Sequence, residues 1–131
     1  MREILFRGKK YSDEWVNGNL FVDNKKEKYE ICTGYFNHRI NVQVIPQTIG
    51  QFVGLTDKNG KKIFEGDIVK SCESENIHVV KYFGNDNYPA FDCIPQTPMW
   101  ECNILSFLVN TEGCEVIGNI FDNPELINLL D

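Results

Sequence analysis

The chain has 131 residues, of which 42% are hydrophobic and 12% aromatic, so it is long enough for one domain with a core of its own. The formal net charge of −6 argues against a general nucleic-acid binder, and no apolar run approaches the roughly 20 residues that cross a bilayer. Charged residues recur throughout the first fifteen positions in place of the apolar stretch of a signal peptide. We therefore expect a single soluble domain, residues 1–131, in the cytoplasm.

The charge is unevenly divided along the chain. Residues 1–62 contain 11 Lys and Arg against 7 Asp and Glu, whereas residues 63–131 contain 2 against 12. Such asymmetry is typical of a basic surface for polyanions or of self-complementary docking between copies. The same charges would have no such role if both halves folded together and the charges mixed on one surface.

Strand patterns dominate the chain from its beginning. "EILFRG" alternates along its length, and "EWVNGNLFVD" follows with Asn17-Gly18 near its centre, which is compatible with a type I′ hairpin turn or with a glycine bulge in one strand. The later runs bounded by turn residues are "EKYEICT", "RINVQVI", "GQFVGL", "DIVKSCE", "NIHVVKYF", "PAFDCI", "WECNILSFLV" and "EVIGNIF". Many short strands at such spacing predict a small barrel or sandwich.

The densest cluster of turn signals lies in "GQFVGLTDKNGKKIFEGDIVK", residues 50–70. Asp57-Lys58-Asn59-Gly60 has the form of a type I turn between two strands, and Glu65-Gly66-Asp67 is a second tight reversal. "EGDIV" at the start of a β segment often marks a small SH3-like barrel. Glu65 and Asp67 also have the spacing of an acid/base or metal pair on one side of a strand. No nucleophile, His or Cys stands beside them, so the sequence favours turn chemistry.

One helix is predicted, near the C-terminal end in "DNPELINLLD". Asn123 is a residue type that caps helices, and Pro124 fits the first helical position. Leu126, Ile127 and Leu130 then share one face of the helix. That face must be buried, either on the protein's own barrel or on a neighbouring copy.

Cysteines and histidines are the candidate metal-binding and catalytic residues. The five cysteines, which lack any C-x₂₋₄-C pair, are Cys32, Cys72, Cys93, Cys102 and Cys114. Their odd number and spacing indicate reduced thiols buried in a β core rather than disulfides or a zinc site. His38 and His78 lie far apart, without a partner at catalytic spacing. The sequence therefore predicts no catalytic residue, no metal site and no cofactor, and common phosphate-binding and hydrolase motifs are absent.

A basic surface is the remaining candidate site. Its residues would be Lys9, Lys10, Lys25, Lys26, Lys28, Lys61 and Lys62, with Tyr11, Tyr29 and Tyr35 nearby. Lysines interleaved with aromatic rings can bind single-stranded nucleic acid by stacking. Solvated hairpin tips have the same composition, and the sequence favours that interpretation.

Two long segments carry most of the specific pattern in this chain. They are "VIPQTIGQFVGLTDKNGKKIFEGDIVK" (Val44–Lys70) and "EVIGNIFDNPELINLL" (Glu115–Leu130), and together with "REILFRGK" and "EWVNGNL" they resemble the YopX family of bacteriophage and prophage proteins. The signature residues are Gln51, Gly54, Leu55, Asp57, Gly60, Ile63, Gly66, Asp67, Ile68, Ile117, Gly118, Asn119, Pro124 and Leu126. Each of them has a turn, core or cap explanation.

The resemblance implies a mainly β fold. Its SH3-like barrel would cover roughly residues 48–121, with additional N-terminal strands and a short C-terminal helix. It also implies a phage or prophage origin and a bacterial host cytoplasm, and it implies no known activity.

We expect a non-enzymatic β module that forms a homo-oligomer or binds a host or phage protein. A head-to-tail contact between the basic half of one copy and the acidic half of the next would be electrostatically favourable. The alternative is a nucleic-acid-associated protein that uses the basic N-terminal half, which the acidic second half makes the less favoured interpretation. An enzyme is a third interpretation, and no constellation of residues supports it. We expect no membrane partner.

Overall fold

The computed structural model describes residues 2–34, 39–86, 88–95 and 103–130, and these residues form a mainly β protein, as predicted. The described strands are β1 (Phe6–Lys9), β2 (Trp15–Asp23), β3 (Lys28–Thr33), β4 (Ile40–Gln43), β5 (Gly50–Thr56), β6 (Lys62–Phe64), β7 (Asp67–Ser71), β8 (Ile77–Tyr82), β9 (Phe91–Ile94) and β10 (Cys114–Asn119). The chain divides into two compact units, residues 1–52 and 53–131, and each is described by itself.

The first unit is an antiparallel sheet in the order β4-β3-β2-β1, and β1 also pairs with Gly50 and Gln51 at the start of β5. An isolated bridge between Lys10 and Val44 brings the chain after β4 back to the end of β1, so the sheet is curled. Val44 and Ile31 are almost fully buried on the inner face of this sheet. The side chains that alternate with them form the outer face.

Strand β2 runs without interruption through Asn17-Gly18, so a hairpin turn at this pair is wrong. Gly18 pairs with Phe6 of β1, and the next residue, Asn19, pairs with Cys32 of β3 in unbroken register. A Cβ atom on residue 18 would overlap the carbonyl oxygen of Cys32. Glycine is therefore required by the close approach of β3, and not by a turn.

The second unit is built on the antiparallel sheet β10-β7-β8-β9, with β6 paired to β5 beside it. A short α-helix, α1 (Ile104–Phe107), precedes β10. The core joins side chains from the sheet, β6 and the helical segment; it consists of Ile63, Val69, Val80, Cys93, Ile104, Leu105, Leu108 and Cys114. This core is apolar apart from two thiols, as expected for reduced cysteines in a β protein.

The SH3-like barrel predicted for this region is not a closed barrel in the described residues. Other segments contact both edge strands of the four-stranded sheet. The N–H of Lys58 donates to the carbonyl oxygen of Cys114 in β10 at 2.9 Å, and Nδ2 of Asn103 donates to the carbonyl oxygen of Phe91 in β9 at 2.8 Å. Each contact satisfies one backbone carbonyl group of an edge strand.

The prediction of a strand in "WECNILSFLV" is wrong for its described part. Asn103 caps α1 by accepting the N–H of Ser106 at 2.8 Å, and the helix continues as a π-helical turn over Leu108–Glu112. The apolar residues that this segment buries are Ile104, Leu105 and Leu108. A run this short does not separate helical from strand periodicity. None of the described helices is long and apolar enough to cross a membrane.

The predicted C-terminal helix is a 3₁₀ turn, Pro124–Leu129. Asn123 does not cap it; its side-chain oxygen accepts the N–H of Asn119 at 3.2 Å instead. None of the six residues of the turn, all of which are described, is buried, and Ile127 and Leu129 are 40% and 55% exposed. Of the apolar face that the sequence predicts, Ile127 is exposed and Leu126 and Leu130 are half-buried, so the single chain covers that face only in part.

Candidate binding surfaces

Asp57 lies in the turn between β5 and β6 and is 7% exposed. Its Oδ1 accepts the N–H groups of Asn59 and Lys61, both at 2.9 Å, and its Oδ2 accepts the N–H of Val116 in β10 at 3.0 Å. Burial raises the pKa of Asp57, but the three N–H donors and the charge of Lys61 outweigh it and lower the pKa below its ordinary value. Gly60 closes the predicted turn by donating to the Asp57 carbonyl oxygen at 3.0 Å. The carboxylate is a structural clamp on β10.

The second acidic turn, Glu65-Gly66-Asp67, is also structural. Gly66 has a φ of +94°, a conformation that glycine adopts without strain. The buried carboxylate of Asp67 accepts the N–H of Phe64 at 2.7 Å. Because Asp67 is buried and bound to backbone, Glu65 and Asp67 do not form a pair of solvent-facing carboxylates. This arrangement favours turn chemistry over an acid/base or metal pair.

Asp92 in β9 is a buried carboxylate that the sequence analysis missed. Its Oδ1 accepts the N–H of the next residue, Cys93, at 2.8 Å and the N–H of Leu105 at 3.1 Å. The second bond joins β9 to the first turn of α1, where backbone N–H groups lack intrahelical acceptors. The partner lies 13 positions away, so no local pattern distinguishes Asp92 from an ordinary polar strand residue.

Cys93 and Cys114 are protonated thiols in the core of the second unit. Burial raises the pKa of Cys93 far above its ordinary value, and Asp92 and Cys114 raise it further. Burial, with Asp57 and Cys72, raises the pKa of Cys114 to about 11. Neutral thiols are poor nucleophiles and poor metal ligands. Within the described ranges, no group of three or more His, Cys, Asp or Glu residues could hold a metal ion.

The remaining cysteines and histidines do not form a common site in the described part of the chain. Cys72 is exposed and Cys32 half-buried, and all four described cysteines are free thiols. His78 is buried in β8. Cys102 and His38 lie outside the described residues, as does Tyr35.

A small open depression of about 180 Å³ lies at the end of β7. It is lined by Lys58, Lys70, Ser71, Cys72, Glu75 and Glu115. Nζ of Lys58 lies 3.7 Å from Oε2 of Glu115, and both side chains are about half exposed. The lining combines both signs of charge and offers neither an apolar wall nor a single-signed charge, so it selects no ligand class.

The seven lysines of the predicted basic surface fall in three places. Lys9 and Lys10 lie at the β1–β2 turn, where their Nζ atoms are 3.5 Å and 3.2 Å from Asp13 and Glu14 of the same turn. The hairpin tip between β2 and β3 carries Lys25, Lys26 and Lys28, and the second unit carries Lys61 and Lys62. In the first unit, Lys25 and Lys26 lie in the hairpin tip, whereas Lys9 and Lys28 are the last and first residues of strands, and the Lys9 side chain is only 16% exposed.

The outer face of the first unit brings together side chains that the sequence analysis did not combine. Strand register places on it Arg7, Lys9, Trp15, Asn17, Asn19, Phe21, Asp23, Lys28, Glu30, Cys32, Asn41 and Gln43. The guanidinium carbon of Arg7 lies 4.8 Å from the centre of the Trp15 ring, and Phe21 is 59% exposed. If β2 is taken as one continuous strand through Asn17-Gly18, the alternation of its side chains predicts this face. A hairpin turn at Asn17-Gly18 would separate the same residues.

The comparison with protein families matches residues 5–128 to the family described as YopX protein. The chain belongs to the YopX family. Among solved structures it is similar to protein EF1440 from Enterococcus faecalis, with 23% sequence identity and a TM-score of 0.62 over 97% of this chain and 99% of that chain. At this identity the likeness shows the fold alone. The comparison with curated proteins returned no match.

The YopX signature residues of this chain include core, turn and cap positions. Ile63 and Ile68 are fully buried. A Cβ atom on Gly118 would overlap the side chain of Asn123, so a larger residue there would displace that side chain from its hydrogen bond with the N–H of Asn119. The side chain of Asn119 accepts backbone N–H groups of that turn at 2.9 and 3.0 Å. These contacts explain the residue types without a ligand.

Proposed function

We propose that this YopX-family protein is a non-enzymatic β module that acts by binding proteins, and that its first partner is a second copy of itself. The buried carboxylates support a structural use of the acidic residues. Asp57, Asp67 and Asp92 each accept backbone N–H groups that hold a turn or a helix start. Side chains committed in this way stabilise the fold and leave recognition to the surface.

The observation that carries the proposal is the C-terminal segment, which we define as residues 122–130. It contains four Leu and Ile residues, and its 3₁₀ turn buries none of its own six residues, all of them described. Covering the exposed parts of Ile127 and Leu129 would contribute on the order of 2 kcal/mol each at about 25 cal/mol per Å². An apolar segment of this kind is typical of a surface that is covered by a partner.

The charge of the chain favours a second copy as that partner. Asp122 and Glu125 precede the apolar residues of the C-terminal segment. Residues 1–52 contain 8 Lys and Arg against 6 Asp and Glu, whereas residues 53–131 contain 5 against 13. The acidic C-terminal segment of one copy therefore complements the first unit of another. A head-to-tail contact of this kind closes into a ring when its rotation allows closure.

Light scattering coupled to size exclusion tests the proposal on the full chain. We expect a mass above that of one 15.1 kDa chain at micromolar concentration in about 0.05 M salt, and a smaller mass in about 1 M salt, where charges are screened beyond about 3 Å. The variant Ile127→Ser/Leu129→Ser should be monomeric. Phe107→Ser is the matched control, because Phe107 is 41% exposed, lies in the second unit and is outside the segment.

Two results would contradict the proposal. One is a monomeric mass for the unmodified chain in both buffers. The other is an equal loss of association in the Phe107→Ser control and in the C-terminal variant. Thermal unfolding of each variant separates loss of association from loss of folding, since exposed positions change stability by only about 0.5 kcal/mol.

We further propose that the protein is encoded by a phage or prophage and works in the cytoplasm of a bacterial host. The family resemblance supports the origin, and the four free thiols of the described residues support a reducing compartment. Cell fractionation of an expressing bacterium, with immunodetection of the chain, tests the location. Recovery from the periplasmic fraction would contradict it.

A further inference from the structure

The outer face of the first unit differs from an ordinary solvent-facing sheet in its composition. Among its described residues the large apolar side chains are aromatic, Trp15 and Phe21, and there is no Leu, Ile or Val. The amide side chains of Asn17, Asn19, Asn41 and Gln43 lie on the same face. Rings stack with planar groups, and amides hydrogen-bond their edges.

The two rings form separate platforms on one strand. Trp15 and Phe21 are six residues apart on the same side of β2, which places them about 20 Å apart at about 3.3 Å per residue. Arg7 and Lys9 lie over Trp15, at 4.8 Å and 5.9 Å from the ring centre. Phe21, at the other end, is exposed. A ligand that covers both must be extended and must offer several flat groups.

The charge beside Phe21 gives the orientation of such a ligand. Lys28 of β3 pairs with Asp23 on the same face, and the hairpin tip next to this pair carries Lys25, Lys26 and Glu27. Oδ1 of Asp23 accepts the backbone N–H groups of Lys25 and Lys26, so the Asp23 carboxylate is engaged by the hairpin tip. Glu30 pairs directly with Phe21 on the same face, two residues after Lys28 in β3. Anionic groups are therefore favoured from Phe21 toward the hairpin tip and disfavoured next to Glu30.

We propose that the outer face binds single-stranded nucleic acid, with bases stacked on Phe21 and on the Trp15 platform and phosphates directed toward Lys25, Lys26 and Lys28. This inference goes beyond the proposed self-association and uses residues outside the C-terminal segment. Single strands expose base faces for stacking, whereas a duplex hides them and offers phosphate alone to a chain with a net charge of −6.

Fluorescence anisotropy with the full chain tests the proposal. The probes are labelled oligo-dT and oligo-rU of about 12 nucleotides, within the usual site size of one small β domain, and a duplex of the same length. We expect Kd values of about 1–100 µM for a single strand at physiological salt and weaker binding of the duplex. Phe21→Ala should weaken single-strand binding by at least about 5-fold, the lower end for one lost stacked base.

Two variants sharpen the test. Tyr11→Ala is the matched control, because Tyr11 is an exposed ring of the first unit, 67% exposed, in the turn before β2. It should leave binding unchanged. Glu30→Gln should tighten binding by about 3-fold at low salt, the effect of removing one charge at roughly 6 Å in water. The residues of the outer face lie outside the C-terminal segment, so Ile127→Ser/Leu129→Ser should also bind the oligonucleotide.

Any one of three results overturns the proposal. The first is the absence of an anisotropy change with either single strand at protein concentrations up to about 100 µM; the face would then be left to a protein partner. The second is equal affinity of Phe21→Ala and the unmodified chain. The third is tighter binding of the duplex than of the single strands, which would identify phosphate rather than base faces as the ligand.

Discussion

Replacing Asp57 tests the turn that clamps β10. In Asp57→Ala, the N–H groups of Asn59, Lys61 and Val116 all lose a charged acceptor. A hydrogen bond to a charged group contributes about 1.5–3 kcal/mol, but Asn59 and Lys61 are exposed residues whose N–H groups water can reach. The Val116 N–H lies on a covered edge of the sheet, so most of the free-energy cost of losing the carboxylate comes from this group. We expect a loss of about 2–5 kcal/mol in the free energy of unfolding.

Asp57→Asn removes the charge of the side chain and keeps its shape. The amide oxygen can still accept the Asn59 and Lys61 N–H groups, but the amide NH₂ then faces the N–H of Val116, and two donors oppose each other. We expect a loss of about 1.5–3 kcal/mol, smaller than for alanine. Glu14→Gln is the control, because it removes an exposed ion pair with Lys10 that contributes at most about 1 kcal/mol.

Urea denaturation followed by circular dichroism measures these differences. The folded-state pKa of Asp57 is lowered, so its contribution is fully present above the ordinary carboxyl value of 3.8 and is lost as pH falls through the folded pKa. The gap between the unmodified chain and Asp57→Asn should therefore be constant near neutral pH and shrink below 3.8. Unfolding free energies for both Asp57 variants within about 0.5 kcal/mol of the unmodified chain would refute the reasoning.

Four further outcomes follow from the structure. Gly60→Val should lower stability by about 1–3 kcal/mol in denaturant titrations, because residue 60 has a φ of +80°, and an unchanged midpoint would contradict this. Iodoacetamide at mildly alkaline pH should label Cys72 in the native protein and reach Cys93 and Cys114 only after unfolding; mass spectrometry of the modified peptides reads this out. Glu65→Gln should leave the light-scattering mass unchanged, and a shift to monomer would show that this carboxylate belongs to an interface. Duplex DNA should bind no better than non-specifically at physiological salt, and sub-micromolar sequence-dependent anisotropy would be the contrary result.

The local turn chemistry could be predicted from the sequence. Asp57 and Gly60 define a turn by residue type, and Gly66 marks the second reversal by its tolerance of positive φ. Both signals act over a few residues, so the turns that they predict do not depend on distant parts of the fold. The β character of most apolar runs follows from the same kind of short-range pattern.

Long-range partners decided what the sequence could not show. The acceptor for the Val116 N–H is Asp57, 59 positions away, and no residue pattern near Val116 indicates it. The apolar run after Asn103 is helical because its residues fill a core made by distant strands, and in isolation it fits a strand equally well. Gly18 is fixed by the backbone of Cys32 in a neighbouring strand. The outer face of the first unit depends on the continuity of β2, which the Asn17-Gly18 pair leaves open in the sequence.

The pairing of Ser71 with Cys114 has a consequence for how this chain can vary. Between these two positions the chain adds β8 and β9 to the sheet and supplies α1 to the core, and it then returns to the point opposite its departure. The entropy of closing a flexible loop grows only with the logarithm of its length, and doubling it costs about 0.6 kcal/mol. Relatives could therefore resize the turns of this excursion, provided that β8 and β9 stay in the sheet and α1 still fills the core, while the Asp57 clamp and the neighbouring turns stay unchanged.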